Sequence, residues 1–159
     1  MEAAPPPRLK EDGRQSPTAR MVQRGVLRHL ASHGLVGITE FALASGRRAD
    51  ILAVDGRGEL SIIEIKSSVQ DFRADGKWPD YRAFCDRLLF AVPLGFPDEI
   101  LPADAGLMVA DGFGAELLRE APRHPLAAAT RKALTLRLAR TAAHRLAALH
   151  DPELSRADL

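Results

Sequence analysis

Two carboxylates and one ammonium stand at a spacing that could hold a divalent cation. Asp50 is followed, after thirteen intervening residues, by Glu64-Ile65-Lys66. Glu64 lies inside the run IIEI, where a carboxylate is costly to bury unless it meets a cation or a hydrogen-bonding partner. Carboxylate oxygens suit Mg²⁺ or Mn²⁺, whereas Zn²⁺ prefers His and Cys. These residue types therefore predict a magnesium site with an ammonium beside it.

The register of one hairpin decides whether these side chains meet. If residues 55–59 (DGRGE) form a five-residue loop, Asp50 pairs with Glu64. Opposed residues on one face of a sheet have Cβ atoms about 4.5–5.5 Å apart, and like charges there repel unless something neutralises them. A slip of two residues would instead place Asp50 opposite Lys66 as a plain cross-strand ion pair. Because side chains alternate along a strand, Lys66 shares the face of Glu64.

The sequence around these residues resembles a known family. The runs GRRADILAV (46–54), IIEIKSSVQDFRADGKWPDYRAFCDRLLFAVP (62–93) and AGLMVADGFGAELLREAP (105–122) are similar to the bacterial MmcB-type DNA-repair proteins. The spacing of Asp50, Glu64 and Lys66 also resembles the D-x(n)-E-x-K motif of the PD-(D/E)XK nuclease superfamily, with Ala49 in the place of the usual proline. The resemblance covers nearly all of residues 20–150.

The resemblance implies a restriction-endonuclease-like α/β fold, in which a central mixed sheet is flanked by helices in a single domain. It also implies a Mg²⁺- or Mn²⁺-dependent deoxyribonuclease whose partners are DNA and other DNA-repair proteins. Asp50, Glu64 and the Ile65 carbonyl would bind the metal, while Lys66 would orient the attacking water or stabilise charge on the phosphate. The alternatives are a non-catalytic DNA-binding or recruitment module with the same fold, and a nuclease acting on RNA.

A further acid of the site is expected on the first strand. Relatives place such an acid on the first helix, but residues 17–33 contain no Asp or Glu. A three-residue loop after the first strand would bring Glu40 beside Asp50. Otherwise Glu40 is an exposed carboxylate or a partner of Arg47 or Arg48.

Polar residues on either side of the motif are candidates for binding the substrate. The arginines could bind phosphates as bidentate donors or be solvated in a turn. The serine could place a hydroxyl near the scissile phosphate or cap the following helix. The lysine and the only Trp and Tyr of the chain could form a base-stacking element or belong to the core. These candidates are Arg47, Arg48, Ser67, Lys77, Trp78 and Tyr81.

Hydrophobic periodicity and turn signals predict the elements that position these residues. Ser16 and Pro17 open a helix that extends to residue 33, and Gly34 is suited to end it. Further along the chain the patterns predict strands at 36–43, 48–54, 60–66, 88–93, 105–111 and 115–120, helical structure over much of 68–86, and a helix at 126–149.

The last predicted helix lies in a basic stretch, because residues 119–150 hold seven Arg or Lys residues and one acid. The arginine face of this helix could contact a DNA backbone or could simply be hydrated. Helical spacing places Arg137, Arg140 and His144 on one face and Leu134, Leu138, Ala142 and Leu146 on another. Three further acids near the motif, Asp71, Asp75 and Asp86, are expected to form caps and ion pairs.

Composition and the absence of several motifs exclude some classes of protein and of site. The chain of 159 residues fits one domain, and its net charge of +1 does not by itself indicate a nucleic-acid partner. Its single cysteine, Cys85, excludes an internal disulfide and a multi-thiolate zinc site, and is expected to be a small buried hydrophobe. Without a Walker A, GxGxxG or HExxH motif, an ATP-driven motor, a dinucleotide enzyme and a zinc protease are disfavoured.

The two ends of the chain are predicted to lie outside the folded domain, which spans residues 17–150. Residues 1–16 indicate a disordered arm, since they carry charges and prolines and no apolar signal-peptide core. Residues 151–159 indicate a flexible tail. No apolar run approaches the roughly 18 residues of a membrane span, which favours a cytoplasmic protein.

Overall fold

A six-stranded mixed sheet forms the centre of the protein. The structure is a computed structural model that describes residues 15–156, so residues 1–14 of the predicted arm (1–16) and residues 157–159 of the predicted tail (151–159) lie outside the described residues. The helices and strands are α1 (Pro17–Ser32), β1 (Val36–Ala42), β2 (Arg48–Val54), β3 (Leu60–Ile65), α2 (Val69–Ala74), β4 (Arg87–Pro93), β5 (Gly106–Ala110), β6 (Ala115–Arg119) and α3 (Ala128–His150). Short 3₁₀ helices occupy Trp78–Phe84, Asp98–Ile100 and Pro152–Arg156.

The strands lie in the sheet in the order in which they occur in the chain. Antiparallel pairing joins β1 to β2, β2 to β3 and β5 to β6, whereas β4 runs parallel to both of its neighbours. One face of the sheet packs on α1 through Val22, Val26 and Leu30. The other face packs on Tyr81 and on Leu134 of α3. The predicted α/β fold with a mixed sheet flanked by helices is therefore confirmed.

Local signals explain where α1 begins and how closely it packs. The Ser16 side chain accepts a hydrogen bond from the backbone N–H of Ala19 at 3.1 Å, and Pro17 follows as the first helical residue. Gly34, with φ of 75°, follows the end of the helix as predicted. At Gly25 an added Cβ would lie 2.0 Å from the Asp111 carbonyl oxygen, so only glycine permits this approach of α1 to the turn before β6.

The rotation of α3 differs from the prediction at two residues. Leu134 is buried, but Leu146 is 58% exposed and Ala142 is exposed as well. The packed face of α3 therefore includes Leu134 and Leu138 but does not extend to Ala142 and Leu146. The cause is that Arg131 and Arg145 are turned toward the sheet and bond to groups there. Of the predicted basic face, Arg137 and Arg140 are exposed and His144 is half-buried.

Asp86 fastens the first turn of α3 to the sheet. Its carboxylate is fully buried and accepts two hydrogen bonds of 2.6 Å from the Arg131 guanidinium. It also accepts hydrogen bonds from the backbone N–H groups of Leu60 and Leu126, both at 2.8 Å. Burial opposes the charge of this carboxylate, but these donors outweigh it and hold its pKa at about 2. The expected ion-pair role of Asp86 is confirmed.

Cys85 is a buried core residue, as predicted. Its side chain is 2% exposed, and its Sγ donates a weak hydrogen bond to the Tyr81 carbonyl at 3.4 Å. Burial raises the pKa of the thiol to about 12. A raised pKa keeps the thiol protonated, as is typical of structural cysteines in apolar surroundings.

No helix within residues 15–156 combines the length and apolar character that crossing a membrane requires.

Candidate active site

The hairpin of β2 and β3 brings Asp50 and Glu64 together. Leu52 pairs with Ile62 and Ile51 with Ile63, so the next position sets Asp50 opposite Glu64. The Asp50 backbone N–H donates to Glu64 Oε1 at 3.1 Å, and the Ile65 backbone N–H donates to Asp50 Oδ2 at 2.8 Å. The predicted register is therefore confirmed, and the register slipped by two residues is wrong.

Both carboxylates are held where their negative charge is unfavourable. Every residue of β3 is buried, and Glu64 is 3% exposed. Burial raises the pKa of Asp50 to about 6, against the opposing hydrogen bond from Ile65. Burial and the neighbouring charge of Asp50 raise the pKa of Glu64 to about 9. The pair therefore favours a bound proton or a bound cation at neutral pH.

The Lys66 ammonium is directed to a third acid. Lys66 is 4% exposed, and its Nζ donates to Asp75 Oδ2 at 2.6 Å. Its backbone N–H continues the parallel ladder by donating to the Ala91 carbonyl at 3.0 Å. Asp75 follows the end of α2, so the ion pair joins this helix to the end of β3. The expected ion-pair role of Asp75 is confirmed.

Glu40 lies beside Asp50 on the neighbouring strand. Thr39 pairs with Ile51 and Phe41 with Ala49, which places Glu40 opposite Asp50. The charge of Glu40 is one of the groups that raise the pKa of Asp50. Both placements that the sequence allowed are realised, because Glu40 also forms an ion pair with Arg48.

The ion pair leaves part of the Glu40 carboxylate unsatisfied. Glu40 Oε2 lies 2.6 Å from Arg48 Nε, yet no hydrogen-bond donor within the described residues is aligned with this buried oxygen. The short distance therefore reflects charge attraction without the geometry of a good hydrogen bond.

An open cavity of about 1000 Å³ surrounds these acids and is called the site cavity below. The strands contribute its floor, and the first two turns of α1 contribute one wall. The end of α3 reaches it through Arg145, whose guanidinium is hydrogen-bonded to β1. Its lining includes the residues of the motif and the neighbouring acids, namely Glu40, Asp50, Glu64, Ile65, Lys66, Asp71 and Asp75.

Four of the six predicted substrate-binding residues line the site cavity, namely Arg48, Ser67, Lys77 and Tyr81. The Ser67 backbone N–H donates to Asp71 Oδ2 at 2.9 Å, and its hydroxyl donates to the same oxygen at 3.3 Å. Ser68, not Ser67, caps α2, because its side chain accepts from the Asp71 backbone N–H. The Tyr81 hydroxyl donates to the Arg48 carbonyl at 2.9 Å, and burial raises its pKa.

Arg47 and Trp78 have structural partners outside the lining of the site cavity. Arg47 Nε donates to Asp80 at 2.8 Å. The Trp78 ring packs edge-on against Phe90 with centroids 5.5 Å apart, and the Arg82 guanidinium lies 5.5 Å from its centroid. Trp78 is thus packed as the core alternative expected.

Asp75 and Arg145 belong to the site but were not predicted there. Asp75 lies in a run of charged residues, DFRADGK, in which no spacing distinguishes the partner of Lys66. Arg145 could have been noticed, because it falls in the same helical stripe as Leu134 and Leu138. An arginine in such a stripe must find buried acceptors.

The donor atoms fit a hard divalent cation. Within residues 15–156, no three His, Cys, Asp or Glu side chains stand ready as a complete metal cluster. Asp50 and Glu64 nevertheless supply opposed buried carboxylates with raised pKa values, and Glu40, paired with Arg48, lies beside them. Such oxygen-only sets suit Mg²⁺ or Mn²⁺, which retain waters as further ligands.

Comparisons with known proteins identify the family of the chain. A family model described as "DNA repair protein MmcB-like" matches residues 6–153. The SPO1766 protein of unknown function from Silicibacter pomeroyi has a solved structure that is 47% identical in sequence, with a TM-score of 0.83, and the match covers 87% of this chain and 94% of that chain. A search of curated proteins found no match. The chain belongs to the family of MmcB-like DNA repair proteins.

Proposed function

We propose that the chain is a Mg²⁺- or Mn²⁺-dependent deoxyribonuclease of the PD-(D/E)XK type that hydrolyses phosphodiester bonds during DNA repair. The observation that carries this proposal is the opposed pair of Asp50 and Glu64 on the hairpin of β2 and β3. Glu64 is buried, and the buried Lys66 follows it two residues further along the chain. The family supports DNA as the substrate, since it is described by its part in DNA repair.

Asp50 and Glu64 would bind the cation through the oxygens that face away from their backbone hydrogen bonds. Those bonds occupy Asp50 Oδ2 and Glu64 Oε1 and fix both carboxylates in position. Ile65, which lies between the two motif residues and lines the site cavity, would contribute its carbonyl oxygen. When bound, the cation supplies positive charge that polarises the phosphodiester.

Lys66 would act on the attacking water or on the developing phosphate charge. The ammonium is held by Asp75 at 2.6 Å in a nearly closed environment, where a fixed charge acts more strongly than it does in water. Ser67 and Lys77 line the same cavity and would bind the phosphates on either side of the scissile bond. Arg48 would do the same from β2.

The charge of the two long helices supports a polyanionic substrate. Neither α1 nor α3 contains an Asp or Glu residue. Both helices contribute to the lining of the site cavity. On α1 the exposed residues Arg20, Arg24 and Arg28 recur every four residues, at steps of about 6 Å along the helix axis. Cations arranged in this way suit a sugar–phosphate backbone.

A non-catalytic DNA-binding module is the second candidate, and one observation favours it. The Lys66 ammonium is already paired with Asp75, and the described residues hold no complete metal cluster. If this candidate is right, DNA binds without any requirement for a divalent cation.

Cation binding and cleavage together decide between the candidates. Mn²⁺ is titrated by calorimetry into the wild type and Glu64→Gln, and both proteins are tested on single-stranded, nicked and branched DNA and on RNA. We expect Mn²⁺ binding and DNA cleavage in the wild type and neither in Glu64→Gln. The matched control is Glu116→Gln, which changes an exposed glutamate on β6 and should preserve both. DNA binding by a wild type that neither binds Mn²⁺ nor cuts would reject the nuclease and favour the module.

A further inference from the structure

Glu40 has a backbone conformation that is rare for residues with a side chain. Its φ is 52°, and no other non-glycine residue within residues 15–156 has a positive φ. The pairing of β1 with β2 is regular on both sides, at Thr39 with Ile51 and at Phe41 with Ala49. The strain is therefore confined to one residue and persists because its surroundings hold it.

The Arg145 guanidinium contacts the strand at this residue. Its Nη2 donates to the Glu40 carbonyl at 2.7 Å, and its Nη1 donates to the Thr39 carbonyl. Successive carbonyls of a regular strand point to opposite sides, so one guanidinium reaches both only where the strand is turned. The positive φ of Glu40 provides that turn.

The turned strand keeps the Glu40 carboxylate in the site cavity. Thr39, Glu40 and Arg145 all line this cavity together with Asp50. The buried Glu40 Oε2 lies 2.6 Å from Arg48 Nε, and Arg48 lines the same cavity.

We propose that Arg145 is a positioning residue of the candidate active site. By binding two successive carbonyls, it holds Glu40 in the left-handed conformation and so keeps this acid at the strand position opposite Asp50, in the lining of the candidate cation site. The role of the cation rests on the proposed function, whereas the effect of Arg145 on the backbone does not.

A purely structural role for Arg145 would resemble that of Arg131. Arg131 lies nearer the start of the same helix and fastens it to Asp86. Its guanidinium contacts neither β1 nor the lining of the site cavity within the described residues. Arg131→Lys is therefore the matched control for weakened attachment of α3.

The first experiment tests the backbone effect without any cation. Thermal unfolding is measured for Glu40→Gly and Glu40→Ala, each with Arg145 and with Arg145→Met. With Arg145 present, Glu40→Gly should unfold at the higher temperature, because glycine adopts positive φ freely. With Arg145→Met the order should reverse, because a relaxed strand favours alanine over glycine.

If Glu40→Gly still unfolds at a higher temperature than Glu40→Ala in the Arg145→Met background, the backbone effect is overturned. In the Arg131→Lys background, Glu40→Gly should remain the more stable of the two, as it is when Arg145 and Arg131 are both present. Arg145→Lys, which keeps the charge but loses the planar fork, replaces Arg145→Met if the latter does not fold.

The second experiment tests the consequence for the site. Calorimetry should show that Arg145→Met binds Mn²⁺ at least tenfold more weakly than the wild type does. The double variant Glu40→Gln/Arg145→Met should bind Mn²⁺ about as tightly as Glu40→Gln alone, because Arg145 is proposed to act through Glu40. Equal weakening in both backgrounds would overturn the positioning role. If the wild type binds no Mn²⁺ while the unfolding order still reverses, the proposed cation site fails and the backbone effect of Arg145 stands.

Discussion

The Lys66 ammonium lies 2.6 Å from Asp75 Oδ2, although it follows directly on the strand that carries Glu64. The pair is shielded, since the lysine side chain is 6% exposed and the aspartate side chain 22%. The position of the ammonium thus depends on an acid at the end of α2. This dependence can be tested by mutation.

Asp75→Asn should lower the rate of DNA cleavage at least tenfold while leaving Mn²⁺ affinity near that of the wild type. The reason is that the variant releases the Lys66 ammonium without changing Asp50 or Glu64. Because the two residues act as a unit, Lys66→Met combined with Asp75→Asn should lose no more activity than Lys66→Met alone. Steady-state cleavage assays measure this, with the exposed Asp98→Asn as control. Losses that multiply would show that the two residues act separately.

The stability of the cation-free protein should fall as the pH rises from about 5 to about 9. The pKa of Glu64 rises from 4.5 in the unfolded chain to about 9 in the folded protein. The folded protein therefore holds the proton more tightly, and the stability gained from this proton is complete below pH 4.5 and is lost as the pH rises to about 9. Asp50, raised from 3.8 to about 6, acts in the same direction over the lower part of this range.

Thermal unfolding at several pH values, with and without Mn²⁺, measures this dependence. Glu64→Gln should flatten the profile, and Mn²⁺ should raise the wild-type midpoint more at about pH 8 than at about pH 5, because the cation competes with protons for the carboxylates. A flat profile for the cation-free wild type would contradict the raised pKa values.

Replacing the exposed arginines of α1 should weaken DNA binding mainly through its electrostatic part. For Arg20→Gln, Arg24→Gln and Arg28→Gln combined, the slope of log affinity against log salt should become shallower by about 2–3, since each phosphate contact contributes about 0.7–0.9. Fluorescence anisotropy in the Asp50→Ala background, where cleavage is absent, measures the slope. The comparison variant carries Arg137→Gln and Arg140→Gln on α3. An unchanged slope for the α1 variant would exclude α1 from the DNA contact.

Asp86→Asn should destabilise the protein by about 3 kcal/mol, because it leaves the Arg131 guanidinium without its buried counter-charge. A loss of this size lowers the unfolding midpoint by roughly 10 °C in a domain of this length. The control is Asp80→Asn, because the carboxylate that pairs with Arg47 is 58% exposed and such pairs contribute less than about 1 kcal/mol. Equal losses in the two variants would contradict the burial of Asp86 as the cause.

The acid pair was predictable from local sequence, because loop length and alternation fix a hairpin register. Residues 55–59 form the loop, and the Asp55 backbone N–H donates to the Glu59 carbonyl at 3.2 Å. The first helix was predictable for the same reason, since Ser16 and Pro17 act within one turn. The existence of the hairpin and the identity of its two acids therefore need no information from distant parts of the chain.

The rotation of α3 was not predictable in this way. Arg131 and Arg145 find their acceptors 45 and 105 residues earlier in the chain, at Asp86 and Glu40. Helical spacing places Arg145 in the stripe of Leu134 and Leu138, but it does not identify the distant acceptors that the two guanidiniums meet. The same argument applies to Trp78, whose contact with Phe90 depends on the packing of the 3₁₀ helix against β4.

The order of strands in the sheet bears on how the protein acquires its site during folding. Each strand pairs with its sequence neighbour, and the longest connection between paired strands is residues 66–86, so every pairing closes a much shorter loop than the Arg145 contact does. Arg145 must instead close a separation of 105 residues, and this contact should form late. In stopped-flow refolding we expect the core to form before the site cavity is complete. A refolding chain would then pass through an interval in which it is compact but inactive, and activity should lag behind the fluorescence of Trp78.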